Sequence, residues 1–218
     1  MTPTVSLDLA LVIALVLCIA SLGTSRIGAA IRYFSLQAAA IALVPLLLGT
    51  RSGEISVHAW ILFAATVGLK VIGVPYLLNR SVREAAVRSE MEPLIGFGSS
   101  LLLGGALVAL SFALAHRLPL PQKPPSDLLI PVAFSLVMIG LLLIVSRSTA
   151  VTQVVGYLVM ENGIFLFGLL LIDVLPYLIE LGVLLDLFVG VFVMGIVIFH
   201  INREFDHIDS HQLDSLKD

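Results

Sequence analysis

The chain has 218 residues, of which 59% are apolar and only 12% are charged, and its mean hydropathy is +1.08. About a quarter of the residues in a typical soluble domain are charged, so this composition excludes that class. The formal net charge is -3 and the sequence has no basic patch, which argues against nucleic-acid binding. The composition predicts an integral membrane protein.

Seven apolar runs are long enough to cross a bilayer as α-helices. A hydrocarbon core of about 30 Å requires about 20 helical residues, and helices satisfy their backbone hydrogen bonds within one segment. We therefore predict an all-α membrane protein with seven transmembrane helices. The predicted spans are residues 7–24, 32–49, 57–78, 94–115, 127–146, 150–171 and 178–200.

The first predicted span is expected to remain in the mature protein. It has no basic region before its apolar run, it carries Asp8, and no clear cleavage site follows it. Cys18 in this span is the single cysteine of the chain, which rules out an intramolecular disulfide and a cysteine-rich iron–sulfur site.

The third predicted span contains a lysine, Lys70. Its side chain either extends along the helix to the membrane surface or pairs with a buried acid, and the sequence leaves both interpretations open. The charged segment 79–93 that follows is predicted to be a helical extension or a short helix of its own.

A proline-rich loop divides the chain into two membrane parts. Residues 116–126 hold four prolines and are predicted to be an extended external loop. The loop separates a four-helix N-terminal part, 1–115, from a three-helix C-terminal part, 127–202, and an acidic tail, 203–218, completes the chain.

Two acids lie well inside the last two predicted spans, Glu161 in 150–171 and Asp186 in 178–200. A carboxylate at this depth costs about 2.5–3.5 kcal/mol on insertion scales, which makes it a candidate for ion or proton transfer. The alternative is a neutral carboxyl group that hydrogen-bonds between helices.

Further polar residues accompany these two acids. Gln153 and Tyr157 precede Glu161 at intervals of four residues, so the three side chains are predicted to follow one side of a helix that can hold water and pass protons. Glu180 is a weaker candidate, since an acid in the first turn of a helix is also favoured by the helix dipole.

The distribution of basic residues predicts the orientation of the chain. With seven spans, eight lysines and arginines fall on one side of the membrane and three on the other, and the more basic side is usually cytoplasmic. The N-terminus is therefore predicted to lie outside and the C-terminus in the cytoplasm.

The C-terminal part contains two motifs that point to a family. The first is GYLVMENGIFLFG around Glu161, and the second is DLFVGV, which begins at Asp186. They resemble the second and third helices of the K component of respiratory complex I and of the C component of multisubunit sodium/proton antiporters, although Asp186 stands where that family usually has a glutamate. With four helices ahead of this K-like module, the whole chain resembles component E of the hydrogenase-4 and formate hydrogenlyase membrane arm.

This resemblance implies a non-catalytic membrane subunit of a group 4 nickel–iron hydrogenase complex or a related complex I-like assembly. Glu161 and Asp186 would be paired carboxyls of a proton path coupled to electron transfer in other subunits, with Lys70, Gln153, Tyr157 and Glu180 as further candidates. The expected partners are antiporter-like membrane subunits, a membrane anchor like the H component of complex I, and cytoplasmic hydrogenase-type and iron–sulfur subunits in a bacterial or archaeal cytoplasmic membrane. The nickel–iron centre and the iron–sulfur clusters are expected in those partners, and no cofactor or metal is expected in this chain.

Two other classes of function are consistent with the same residues. In the first, the carboxyls serve a cation/proton antiporter or an ion or inorganic-carbon uptake assembly without redox partners. In the second, the chain is a structural scaffold whose buried acids hold neighbouring subunits in register. The length of the chain argues against a plain antiporter subunit, which resembles only the last three predicted helices.

Overall fold

The computed structural model describes residues 3–52, 57–84, 94–118 and 124–170 of the chain. These ranges contain helices and their connections and no β-strand. The elements are α1 (Pro3–Gly23), α2 (Ile27–Ser52), α3 (Val57–Thr66), a π-helical segment (Val67–Gly73), α4 (Val74–Glu84), α5 (Phe97–Ala115), α6 (Leu129–Ser146) and α7 (Ala150–Leu170).

Six helical stretches of the described chain are long and apolar enough to cross a membrane. They are Val5–Gly23, Ile27–Thr50, Ala59–Arg83, Phe97–Ala115, Leu129–Ser146 and Ala150–Leu170. These stretches correspond to the first six predicted spans, and the predicted all-α membrane fold is confirmed. The seventh predicted span, which contains Glu180 and Asp186, lies outside the described residues, as does the tail 203–218.

The third span is continuous but irregular. The segments α3 and α4 are joined by the π-helical segment Val67–Gly73, in which Lys70 lies, so the backbone widens at the buried lysine. A π-helical turn uses i→i+5 hydrogen bonds, is rare, and is frequently found at functional sites. The helix then continues past the predicted end of the span to Glu84, which confirms a helical extension over the described part of 79–93.

Contacts at both ends of the bundle show that α1 and α6 run in the same direction and that α5 runs in the opposite direction to α6. The hydroxyl group of Ser126, just before α6, donates a hydrogen bond to Asp8 Oδ1 near the start of α1 (2.5 Å). At the opposite end, the backbone N–H of Leu94 donates to the carbonyl of Ser146, where α6 ends (2.9 Å). Which of these two ends faces the cytoplasm stays a prediction from the positions of the basic residues.

Glycines bring α6 and α7 into backbone contact. A Cβ atom placed on Gly156 would lie 2.9 Å from the backbone nitrogen of Ile144, and one on Gly163 would lie 2.6 Å from the carbonyl oxygen of Ala133. Such close approach is the usual use of glycine between membrane helices. It fixes the position of α7 against α6, and with it the position of Glu161.

The N-terminal and C-terminal parts pack directly on one another. The helix α2 contacts α1, the π-helical segment and α7, while α1 also contacts α5 and α6. Buried apolar side chains from both parts form one continuous core, which includes Leu11, Phe34, Ile41, Leu136 and Leu158. The polar groups described next lie within this core.

Candidate functional site

The centre of the site is a buried ion pair between the two parts of the chain. Lys70 Nζ lies 2.7 Å from Glu161 Oε1, and the two side chains are only 4% and 2% exposed. Lys70 belongs to the π-helical segment of the N-terminal part, whereas Glu161 belongs to α7 of the C-terminal part. Of the two sequence interpretations of Lys70, the structure shows the second, pairing with a buried acid.

Both charged groups lie near the middle of their helices. Glu161 is eleven residues after the start of α7 at Ala150, which places it about 16 Å along the helix axis, about half of a hydrocarbon core. Lys70 is eleven residues after Ala59, where its own membrane span begins. The pair therefore lies near the middle of both described spans.

Two buried amides continue from the ion pair into the N-terminal part. Lys70 Nζ also donates a hydrogen bond to Asn162 Oδ1 (3.3 Å). Asn162 Nδ2 donates to Gln37 Oε1 on α2 (3.4 Å), and Gln37 Nε2 donates to the carbonyl oxygen of Ala14 on α1 (3.2 Å). Asn162 and Gln37 are 0% and 1% exposed. One polar chain thus joins α7, the π-helical segment, α2 and α1.

The surroundings compensate the two charges in a buried environment. The ammonium group of Lys70 lies 5.6 Å from the centre of the Phe165 ring, within the range of a cation–π interaction. Isolated buried charges are very unfavourable, whereas a pair with further hydrogen bonds offsets much of the desolvation cost. The site can therefore hold one positive and one negative charge together in the interior of the membrane part.

The structure places the other predicted residues of α7 at different depths. Tyr157 is half-buried and lies one helical turn before Glu161. Gln153 is exposed near the start of α7, about 12 Å along the axis from Glu161, and its amide donates a hydrogen bond to the carbonyl of Arg147 (3.0 Å). Asp186 and Glu180 lie outside the described residues.

A second buried cation lies at the end of the bundle, in the connection between α6 and α7. Arg147 is 0% exposed, its Nη2 donates to the carbonyl of Leu22 at the end of α1 (2.6 Å), and its guanidinium carbon lies 4.8 Å from the centre of the Phe97 ring. Within the described ranges, its Nε and Nη1 have no hydrogen-bond partner. Burial lowers the pKa of Arg147 from its ordinary value. Arg147 thus joins the C-terminal part to the end of α1 and to the start of α5.

Sequence reasoning missed the roles of Gln37, Asn162 and Arg147. Gln37 lies inside an apolar run, and Asn162 follows directly after the buried acid. Both can be recognised in the sequence as polar residues within predicted membrane spans. Arg147 is one of the eight basic residues on the predicted cytoplasmic side, and the sequence does not show that its side chain folds inward. In the described part of the chain, no three histidine, cysteine or acidic side chains come together that could hold a metal ion.

Comparisons with known proteins cover both parts of the chain. A family model for NADH-ubiquinone/plastoquinone oxidoreductase chain 4L matches residues 128–218. An uncharacterized protein of Mycobacterium tuberculosis is 34% identical over 193 residues, which cover 87% of this chain and 86% of that protein. Hydrogenase-4 component E of Escherichia coli K12 is 30% identical over 148 residues, 68% of each chain, and component E of Shigella flexneri gives the same values. No solved structure matches the chain.

Proposed function

Since this chain belongs to the hydrogenase-4 component E family and is a multi-pass membrane subunit of a complex I-related complex, we propose that it contributes buried charged groups to a proton path. Proton movement along this path is coupled to electron transfer in partner subunits. Glu161 is the principal residue of the path in the described chain, and Asp186 is proposed as the second carboxyl on the following span.

The observation that supports this proposal best is the Lys70–Glu161 ion pair in the middle of the membrane part. A carboxylate held by an ammonium group can accept a proton, and its attraction for the lysine is then lost. When a proton arrives at Glu161, Lys70 keeps its contact with Asn162 Oδ1. The positive charge is then held at Asn162 and no longer at Glu161. At this depth the change in charge acts over a longer range than it would in water, because the surroundings screen it weakly.

The remaining candidates extend the proposed path along α7. Tyr157 can donate or accept a proton through its hydroxyl group, and Gln153 lies at the end of the helix that is predicted to be cytoplasmic. In this proposal, water joins Gln153, Tyr157 and Glu161, and Glu180 belongs to the opposite end of the path. Redox-driven charge movement originates in partner subunits that carry the nickel–iron centre and the iron–sulfur clusters, and it reaches this chain through the membrane anchor and antiporter-like subunits.

The proposal is tested by measuring protons translocated per electron with the purified complex in sealed vesicles. We expect Glu161→Gln and Asp186→Asn to abolish translocation while electron transfer to a soluble acceptor continues, because each variant removes a proton-accepting group and keeps the side-chain size. Ser135→Ala in α6 is a matched control, since the Ser135 hydroxyl is buried but donates only to the carbonyl of Pro131 in its own helix (2.7 Å). Normal translocation by both acid variants would overturn the proposal.

The alternative functions give different results in the same preparation. Identification of the co-purifying subunits by mass spectrometry separates a redox complex, which contains hydrogenase-type and iron–sulfur chains, from an antiporter or uptake assembly, which contains neither. A scaffold role predicts that the acid variants lose subunits from the complex before any change in the proton-to-electron ratio.

A further inference from the structure

Gln37 is a buried polar residue that the proposed path does not use. It lies ten residues into α2 and is 1% exposed, and its neighbours along the helix, Phe34, Ala38 and Ile41, are buried apolar residues. A buried amide without partners would cost free energy, so the hydrogen bonds of Gln37 account for its presence. Its partners lie on α1 and on α7, outside its own helix.

The two ends of the polar chain determine how its amides are oriented. The carbonyl oxygen of Ala14 only accepts hydrogen bonds, so Gln37 must turn its NH₂ group toward α1 and its oxygen toward Asn162. At the other end, an ammonium group only donates, so Asn162 must turn its oxygen toward Lys70 and its NH₂ group toward Gln37. With Lys70 as an ammonium group, this arrangement satisfies all three contacts, and rotating either amide by 180° breaks two of them.

Gln37 has a further neighbour on the same side of α1. The thiol of Cys18, one helical turn after Ala14, lies close to the Gln37 side chain. The hydrogen bond to Ala14 holds the amide of Gln37 against α1, which limits its rotation. Because α1 and α2 pack closely on one another, this restraint is passed through Asn162 to the ion pair.

We propose that Gln37 is a positioning residue for the Lys70–Glu161 pair. It orients the amide of Asn162, and Asn162 together with Glu161 then holds the Lys70 ammonium group between them. The N-terminal part of the chain therefore supplies Lys70, the counter-ion of Glu161. It also supplies the hydrogen bonds of Gln37, which help to determine the resting position of the Lys70 ammonium group. This inference rests on the proposed function of Glu161 in proton transfer.

The inference is tested in the purified complex with Gln37→Met, which retains the size of the side chain and removes both hydrogen bonds to it. The number of protons translocated per electron is measured for Gln37→Met, for Asn162→Leu and for the double variant. Infrared difference spectra are recorded on reduction of the complex. The carboxyl bands of Glu161 are assigned by their absence in Glu161→Gln. Gln37→Leu also removes both hydrogen bonds and serves as a second variant if Gln37→Met does not assemble, and Ser135→Ala is the control.

We expect Gln37→Met to lower translocation several-fold and to shift the Glu161 bands, and to have no added effect when Asn162 is already leucine, because it acts through Asn162. Gln37→Leu is also expected to shift these bands, and Ser135→Ala is not. Unshifted Glu161 bands in the Gln37 variants, or an equal loss of translocation with and without Asn162→Leu, would overturn the positioning role. Loss of translocation in Glu161→Gln but not in Gln37→Met would reject this inference and leave the proposed function intact, whereas normal translocation in Glu161→Gln would reject the proposed function.

Discussion

At the scale of single residues, the site is dominated by the compensation of two opposite charges. Lys70 and Glu161 are almost completely buried, 2.7 Å apart, and in the middle of their spans. Removing one partner of a buried pair leaves the other charge uncompensated, whereas replacing both partners by neutral groups of similar size is often tolerated. The same geometry therefore has consequences for stability that are separable from its consequences for proton transfer.

We expect Lys70→Met and Glu161→Gln to destabilise the chain by about 3–5 kcal/mol each, the usual cost of leaving a buried charge without its partner. The double variant Lys70→Met/Glu161→Gln is expected to recover most of this loss, because it contains no unbalanced charge. The melting temperature of the purified complex measures the effect.

Arg83→Met provides the matched control for these variants, since Arg83 is a basic residue later in the same span that is not buried, and its replacement leaves no buried charge behind. If the effects of Lys70→Met and Glu161→Gln were additive in the double variant, the two residues would not act as a pair, and the ion pair would not couple their contributions to stability.

At the scale of elements, two irregular features position the charged groups. The π-helical segment carries Lys70 within the third span, and the glycines of α6 and α7 set the depth and rotation of Glu161. Alanine at Gly140 would place its Cβ 2.5 Å from the backbone nitrogen of Met160, directly before Glu161. Small residues in this interface are therefore part of the geometry of the ion pair and not only of general packing.

We predict that Gly156→Ala destabilises the contact between α6 and α7 by about 1–3 kcal/mol, the cost of inserting a methyl group into a closely packed interface. Its Cβ would lie 2.8 Å from Leu143 Cβ and 2.9 Å from the backbone nitrogen of Ile144. Because α7 must move to admit the methyl group, translocation is expected to fall together with the melting temperature of the complex.

Gly105→Ala is the control for this interface, because within the described chain no heavy atom beyond its chain neighbours and the adjacent backbone of α5 lies within 4 Å of a Cβ at that position. It is expected to be neutral or slightly stabilising, since alanine favours helices more than glycine by about 1 kcal/mol. Equal destabilisation by Gly105→Ala and Gly156→Ala would show that the effect comes from the helix backbone and not from the packing of α6 on α7.

At the scale of the whole molecule, the four-helix N-terminal part is joined to the C-terminal module by charge as well as by packing. Lys70 pairs with Glu161, Gln37 bonds to Asn162, and Arg147 bonds to the last turn of α1. All three contacts cross between residues inside and outside the matched chain 4L segment, 128–218. The N-terminal helices are consequently an integral part of the site.

The sequence was sufficient to predict the spans and the buried acid, because both depend on local composition. Apolar runs of about 20 residues determine the helices, and Glu161 stands out against its apolar neighbours. The partner of Glu161 was not predictable, since Lys70 is far away in the sequence and two interpretations of it fitted the sequence equally well. The π-helical turn and the inward course of Arg147 also escaped prediction, because both arise from tertiary packing.

The central claim is that the Lys70–Glu161 pair takes part in proton transfer and is not only a structural contact. The most direct test is the number of protons translocated per electron by the complex that carries Lys70→Met/Glu161→Gln in sealed vesicles, after its subunit composition and melting temperature have been verified. We predict a complete, stable complex that transfers electrons but has lost proton translocation. Translocation at the wild-type ratio in that complex would contradict the claim and leave the ion pair with a structural role alone.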